Sequence, residues 1–276
     1  MKLEFQKKTV ADLLKERPEC RRVLVQFYHG LGDAIMFFAN CLPALEHEFP
    51  NVKFYVETQL GQDEIFGKVD PDEDAYDLAV FIGFPCSEWD EGTDETKAEK
   101  CGRLELGVEI PPDCPDYYYF FICPGKKHFT SPLVGVHFQS TSCNEICCPE
   151  ELAKLIWDRI QARGLIPIDT HFDHRGATIP RQIFPWETRN VTDAPASVGK
   201  LFGLIDHISG FAGVASGNFW AALCCLPPQK ILFIETLFPA RKLTHVNVHM
   251  VSVKDDRETQ IKKIDAWLDW LDVFHE

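Results

Sequence analysis

The chain has 276 residues, 45% hydrophobic and 25% charged, with 28 basic side chains, 42 acidic ones and a formal net charge of −14. This is ordinary globular composition, with room for one large core or for two domains of about 130 residues each. Residues 1–130 hold 14 basic and 25 acidic side chains and residues 131–276 hold 14 and 17, so both halves repel phosphate backbones and nucleic acid is excluded as a partner.

The basic pairs Arg21-Arg22 and Lys126-Lys127 are isolated and build no patch. No apolar run reaches membrane-spanning length, and Met1-Lys2-Leu3-Glu4 leads into polar sequence without the features of a signal peptide. The expectation is a cytoplasmic protein with no transmembrane segment.

Taken in order, Thr9 to Leu14 reads as a capped short helix ending before Pro18, and Arg22 to Tyr28 (RVLVQFY) as a buried strand. Ala34 to Glu48 has apolar residues all round its first two turns, which predicts a largely buried helix containing Pro43 and stopping at Pro50. Val52–Glu57 and Asp77–Phe84 are the next strands, a helix is expected around Thr93–Leu104, and the acidic run Asp70 to Asp77 reads as a solvated face. Residues 111–132, with five prolines and no period, read as a linker.

The second half repeats the logic. Leu133–Phe138, Leu165–Asp169, Phe211–Ala215, Lys230–Glu235 and Val248–Val253 are predicted strands. Helices are predicted over Pro149–Arg163, Ser197–His207, Asn218–Cys225 and Glu258–Phe274. Strands alternating with helices at short spacing imply βαβ units and parallel sheets. The fold expectation is α/β, two Rossmann-like domains facing a cleft. The first spans residues 1–115 and the second residues 116–276, with the final helix packing back on the first domain as one option.

Eleven cysteines include the cluster Cys143, Cys147 and Cys148, and there is no Cys-x-x-Cys pair. Zinc or an iron–sulfur cluster would need a fourth ligand that the spacing does not supply. Reduced, mostly buried thiols are the preferred reading, with no metal and no cofactor expected, and a metal site through that cluster is the lesser alternative.

Two strand–turn–helix junctions carry the small residues that a ligand needs. The first is His29-Gly30-Leu31-Gly32-Asp33 and the second runs from Val214 through Ser216, Gly217 and Asn218. Ligands of open parallel sheets bind beyond the carboxyl ends of the strands, and helix N-termini favour phosphate. Neither junction matches a dinucleotide or Walker-type loop. Asp33 reads either as a helix cap or as a reactive carboxylate. His29 reads as a donor to a ligand or as a turn histidine, Phe219 and Trp220 as core or as stacking residues, and Glu235 as a ribose contact or a strand end.

The stretch RVLVQFYHGLGDAIMFFANCLPALEHEFPNVKFYV resembles the opening of glycosyltransferase family 9, the ADP-heptose:lipopolysaccharide heptosyltransferase-like enzymes. Gly32-Asp33, Pro43-Ala44-Leu45 and Phe49-Pro50 fall at that family's positions. LVGVHFQSTS with CPEELAKLIWDRIQARGLIPI resembles the start of its second domain, and SVGKLFGLIDHISGFAGVASGNFWAALCCLPPQKILFIET its donor segment. The resemblance implies a GT-B fold and inverting, metal-independent transfer from a nucleotide-sugar, an ADP-sugar or another nucleoside diphosphate sugar. It implies Asp33 as base, with Thr141, Ser142, Ser216, Gly217 and Asn218 at the donor and His29, Gly30 and Gly32 on the acceptor side. The acceptor it implies is a glycan or a lipid-linked saccharide hydroxyl. The sequence departs from the family pattern at Ala215, Trp220 and Ile146, where an acid, a histidine and a lysine would stand. Those changes remove charge-assisted contacts, so a non-catalytic protein that keeps the fold and binds nucleotide-sugar stands beside the transferase reading.

Overall fold

In a computed structural model of the chain, the structure describes residues 8–59, 61–67, 69, 76–83, 95–111, 131–140, 146–171, 184, 186, 197–236 and 246–272. The described residues form two compact units, the first within residues 8–111 and the second within residues 131–272. The linker expected over 111–132 lies outside them but for its ends, as do Thr141, Ser142, Cys143, Lys126, Lys127 and most of the acidic run.

In the first unit, helix α1 (Val10–Glu16) starts at a capping box in which Thr9 and Asp12 exchange side-chain and backbone hydrogen bonds. Strand β1 (Arg22–Phe27) is central, flanked by β2 (Lys53–Thr58) and β3 (Leu78–Phe81) in a parallel sheet of order β2-β1-β3. Asp77 does more than face solvent: its carboxylate accepts from the backbone N–H groups of Arg21 and Arg22 and fixes the start of β1.

After β1, α2 (Leu31–Met36) runs through a π-helical turn, Phe37–Cys41, into α3 (Leu42–Glu48). Pro43 explains the wide turn. A proline ring clashes with the carbonyl four residues back, and an i→i−5 bond, seen from Leu42 N–H to Phe37 O, relieves the crowding. The side chain of Asn40 donates to the Met36 carbonyl at 3.2 Å within the same turn. The helix therefore starts three residues earlier than expected, at Leu31. A short helix, α4 (Asp63–Phe66), follows β2, and α5 (Lys97–Cys101) runs into a second π-helical turn, Gly102–Leu106.

The second unit is a five-stranded parallel sheet of order β5-β4-β6-β7-β8, built from β4 (Leu133–His137), β5 (Ile166–Asp169), β6 (Gly210–Gly213), β7 (Ile231–Glu235) and β8 (His249–Ser252). Its helices are α6 (Glu150–Ala162), α7 (Val198–Ile205), α8 (Gly217–Cys225) and α9 (Arg257–Asp272). One sheet face carries Val134, Val136, Ala212, Leu232, Ile234 and Val251 into a core with the apolar stripes of α6 and α9. Ile264, Trp267, Leu268 and Leu271 of α9 are buried in that core, and Arg159 of α6 donates to Asp265 of α9. The apolar face of the final helix is thus buried within the second unit, where β7, β8 and α6 offer the matching surface. Among the described residues no helix is long and apolar enough to cross a membrane.

Candidate functional site

Strand order decides where a parallel sheet leaves a crevice. In the first unit the chain leaves β1 toward β2 on one side and then crosses back to β3 on the other, so the carboxyl ends of β1 and β3 form the switch point. In the second unit the switch lies between β4 and β6. The turn holding Asp33 follows β1, and the turn holding Ser216 follows β6. Each sequence-predicted turn therefore lies at the switch point of its own sheet.

At the first turn, Gly30 is the N-cap of α2, at φ −58° and ψ 158°, and Asp33 stands in the first helical turn. Gly30 does not need glycine's left-handed freedom, since its φ is one any residue adopts. A Cβ there would meet only Asp33 Oδ2 at 3.8 Å, so what the glycine supplies is a bare surface over the turn. Gly32 lies inside α2 rather than in a loop, also without a positive φ. Asp33 is not a helix cap: its carboxylate is paired with Lys97 Nζ at the start of α5, with side-chain exposures of 24% and 15%. Lys97 was not singled out from the sequence. The local signal was only the capping box of Thr96 and Glu99 that starts α5.

His29 is committed to the scaffold. Its Nε2 donates to the Ile82 carbonyl at 2.8 Å, tying the exit of β1 to that of β3, and its ring meets Phe27 edge-on at 4.6 Å. Two amides brace the same backbone, Gln59 Nε2 donating to the Tyr28 carbonyl at 3.0 Å and Gln62 Nε2 to the His29 carbonyl at 2.9 Å. The turn is thus held in place before any ligand arrives.

At the second turn, Ser216 is the N-cap of α8 with extended backbone, and its side chain makes no capping bond. Ser216 Oγ is buried and has no hydrogen-bond partner among the described residues. A buried hydroxyl left unpaired costs about 1–3 kcal/mol, which an incoming anion oxygen can recover. Helix starts also leave their first N–H groups without intrahelical partners, here those of Gly217 and its neighbours. Asn218 reaches back to the sheet. Its side chain is buried and donates to the carbonyl and, at 3.3 Å, to the hydroxyl of Thr170 at the end of β5, so only its backbone is left for a ligand. Phe219 and Trp220 are core residues, with rings 6.0 Å apart and nearly no exposure.

Glu235 is half-buried at the carboxyl end of β7. Cys148 is buried with its thiol 3.5 Å from the Pro149 carbonyl, and burial pushes that thiol far above the usual range, which disfavours the thiolate a metal needs. Cys147 lies 3.8 Å from the Ser140 carbonyl. Among the described residues, no group of three His, Cys, Asp or Glu side chains is placed to hold a metal.

No family model and no curated protein sequence matches the chain. Solved structures do. The iron-containing dodecameric glycosyltransferase TibC from enterotoxigenic E. coli H10407 aligns at TM-score 0.66 and 15% identity, over 91% of this chain and 78% of that one. The glycosyl transferase family 9 protein of Veillonella parvula DSM 2008 aligns at 0.55 and 12%, over 87% and 88%. E. coli heptosyltransferase WaaC, solved with ADP-2-deoxy-2-fluoro heptose, aligns at 0.51 and 10%, over 90% and 99%. At such identities the likeness is one of fold, and the fold is that of the heptosyltransferase-like GT-B glycosyltransferases.

Proposed function

We propose that the protein is a family 9-type glycosyltransferase that moves a sugar, a hexose or heptose, from a nucleoside diphosphate donor to an acceptor hydroxyl, with inversion. The observation that carries this reading is the buried, unpaired Ser216 hydroxyl at the N-terminus of α8, beside the switch point of the second sheet. That hydroxyl and the adjoining N–H groups are donors suited to a diphosphate. They stabilise the charge that the leaving nucleotide gains, a role this reading gives to the helix start rather than to a metal.

Asp33 is the base in this reading. It takes the proton of the acceptor hydroxyl as the oxygen attacks the anomeric carbon through an oxocarbenium-like transition state. Lys97 holds the carboxylate in one orientation. Thr141 and Ser142 belong to the donor phosphates by resemblance, and the acceptor is a glycan or lipid-linked saccharide.

The test is binding followed by transfer. ADP, UDP, GDP and ADP-heptose are screened by thermal shift; a ligand at 100 times its Kd adds about 2.7 kcal/mol to stability. A rise with a nucleoside diphosphate or its sugar supports the reading, and no rise with any of them removes it. A second reading, binding without turnover, is favoured by Asn218 and Trp220, which the fold spends on Thr170 and the core. It predicts a shift with no release of nucleotide when acceptors are added.

A further inference from the structure

The register of the first sheet places Glu57, Gln26 and Phe81 in one row, since Gln26 pairs with Glu57 of β2 and with Phe81 of β3. Alternation along β1 brings Tyr28 to the same face, two residues beyond Gln26. Phe81 is 58% exposed and Tyr28 39%, with ring centroids 6.3 Å apart and planes at 45°. Solvent exposure of two large rings at the carboxyl edge of a sheet is costly unless something uses them.

The polar members of the row are tied together. Gln26 Nε2 donates to Glu57 Oε2 and to Tyr28 Oη, each at 3.2 Å, and Tyr28 Oη donates to Glu57. That hydrogen bond pushes the Tyr28 phenol above its usual range, so it stays a donor to Glu57. The internal donors are consumed by Glu57 Oε2 and Tyr28 Oη, and the capacity left on these partly buried side chains is that of acceptors, Gln26 Oε1 and Glu57 Oε1. Acceptors beside a carboxylate, on the more acidic half of the chain, welcome hydroxyl groups and repel phosphate or carboxylate.

We propose that Phe81, Tyr28, Gln26 and Glu57 form a subsite for an uncharged pyranose ring. The apolar C–H face of the sugar lies on the two rings, and its hydroxyls donate to the amide and carboxylate oxygens. The subsite rests on the transferase reading for its role: it adjoins the HGLGD turn in sequence and names the acceptor as a neutral saccharide.

The experiment is saturation-transfer NMR on the full chain with methyl β-D-galactopyranoside, methyl α-D-glucopyranoside and N-acetylglucosamine, against glucose 6-phosphate. At least one neutral pyranoside should receive saturation on its C–H face. Phe81→Ala should weaken binding roughly fivefold to tenfold. Phe81→Leu, which keeps apolar bulk without a flat ring, should weaken it similarly, and Glu57→Gln should weaken it too. Saturation of none of the neutral sugars, an unchanged signal in both Phe81 variants, or preference for the phosphate overturns the subsite. ADP-heptose thermal shift on the same samples separates the two ideas. A donor shift without sugar saturation removes the subsite alone, and saturation without a donor shift removes the transferase reading alone.

Discussion

Lys97, the first residue of α5, donates to the carboxylate of Asp33 in the first turn of α2, joining positions 64 apart in sequence. Both side chains are mostly buried, so the pair is more than a surface ion pair. Asp33→Asn keeps the shape but removes the charge that Lys97 faces. Turnover should fall roughly 100-fold or more, as expected for loss of a general base, while the Kd for donor stays within about twofold. Stability should fall by about 1–2 kcal/mol through the weakened charged hydrogen bond. Lys97→Met should lose a smaller part of kcat, because the carboxylate remains but is no longer oriented. Steady-state kinetics with donor binding by calorimetry check both; full kcat in Asp33→Asn would end its role as base.

Much of this arrangement was legible in the sequence, and the limits are physical. Strands from Arg22 to Tyr28 and from Lys230 to Glu235 announce themselves because buried parallel strands are continuously apolar. The turns at Asp33 and Ser216 stand out because small residues interrupt such runs. The Lys97–Asp33 pair was hidden, since a partner from a distant helix leaves no local pattern. The contact between Asn218 and Thr170 was hidden for the same reason. Only tertiary structure brings Thr170 close enough to claim the Asn218 amide. The π-helical turn at Phe37–Cys41 was not read from the sequence: Pro43 was seen inside one continuous helix, and how its crowding is relieved depends on the backbone around it.

The Ser216 turn gives a pair of substitutions with different signatures. Ser216→Ala removes a buried hydroxyl that has no protein partner among the described residues, so the free protein should be as stable as before or slightly more so. Nucleotide affinity should drop about tenfold if that hydroxyl meets a phosphate oxygen. Gly217→Val places a branched side chain at the first position of α8, where the proposed function puts the diphosphate, and should abolish detectable binding while circular dichroism stays native. Wild-type affinity in both variants would move the phosphate site elsewhere.

Lys230, at the foot of β7, is almost wholly buried, and burial lowers its ammonium to a pKa of about 8. An unfolded lysine titrates near 10.4, so between about pH 8 and pH 10.4 the unfolded state binds the extra proton. Stability contributed by this group therefore rises with pH across that window, and the cost of the buried charge is fully present below it. Lys230→Met carries no such cost. Its stability relative to wild type should be greatest at pH 7 and should decline steadily as pH climbs to 10. Urea midpoints of the two proteins at half-unit pH intervals test this, and a constant gap would mean that Lys230 titrates normally in the fold.

Gly107 closes the second π-helical turn in the left-handed region, at φ 72° and ψ 27°, and its N–H donates to the Gly102 carbonyl. It also lies against the start of α1: a Cβ there would fall on Thr9 Oγ1, 2.9 Å from Thr9 Cβ and 3.0 Å from Ala11 Cβ. Thr9 is the N-cap whose hydroxyl accepts from Asp12 N–H at 3.2 Å. Gly107→Ala should thus incur two costs, about 1 kcal/mol for left-handed backbone and about 1 kcal/mol for the disturbed cap. Gly164 is the control, because it too is left-handed, at φ 73°, but a Cβ there meets nothing within 4 Å. Gly164→Ala should show the backbone cost alone. Urea unfolding followed by circular dichroism should place Gly107→Ala lower than Gly164→Ala by about 1 kcal/mol or more, and Gly107→Ala should cost less in a Thr9→Ala background, where the cap it disturbs is already lost, than in the wild type. Equal losses in the two single variants would show that the contact between Gly107 and the cap does not govern stability.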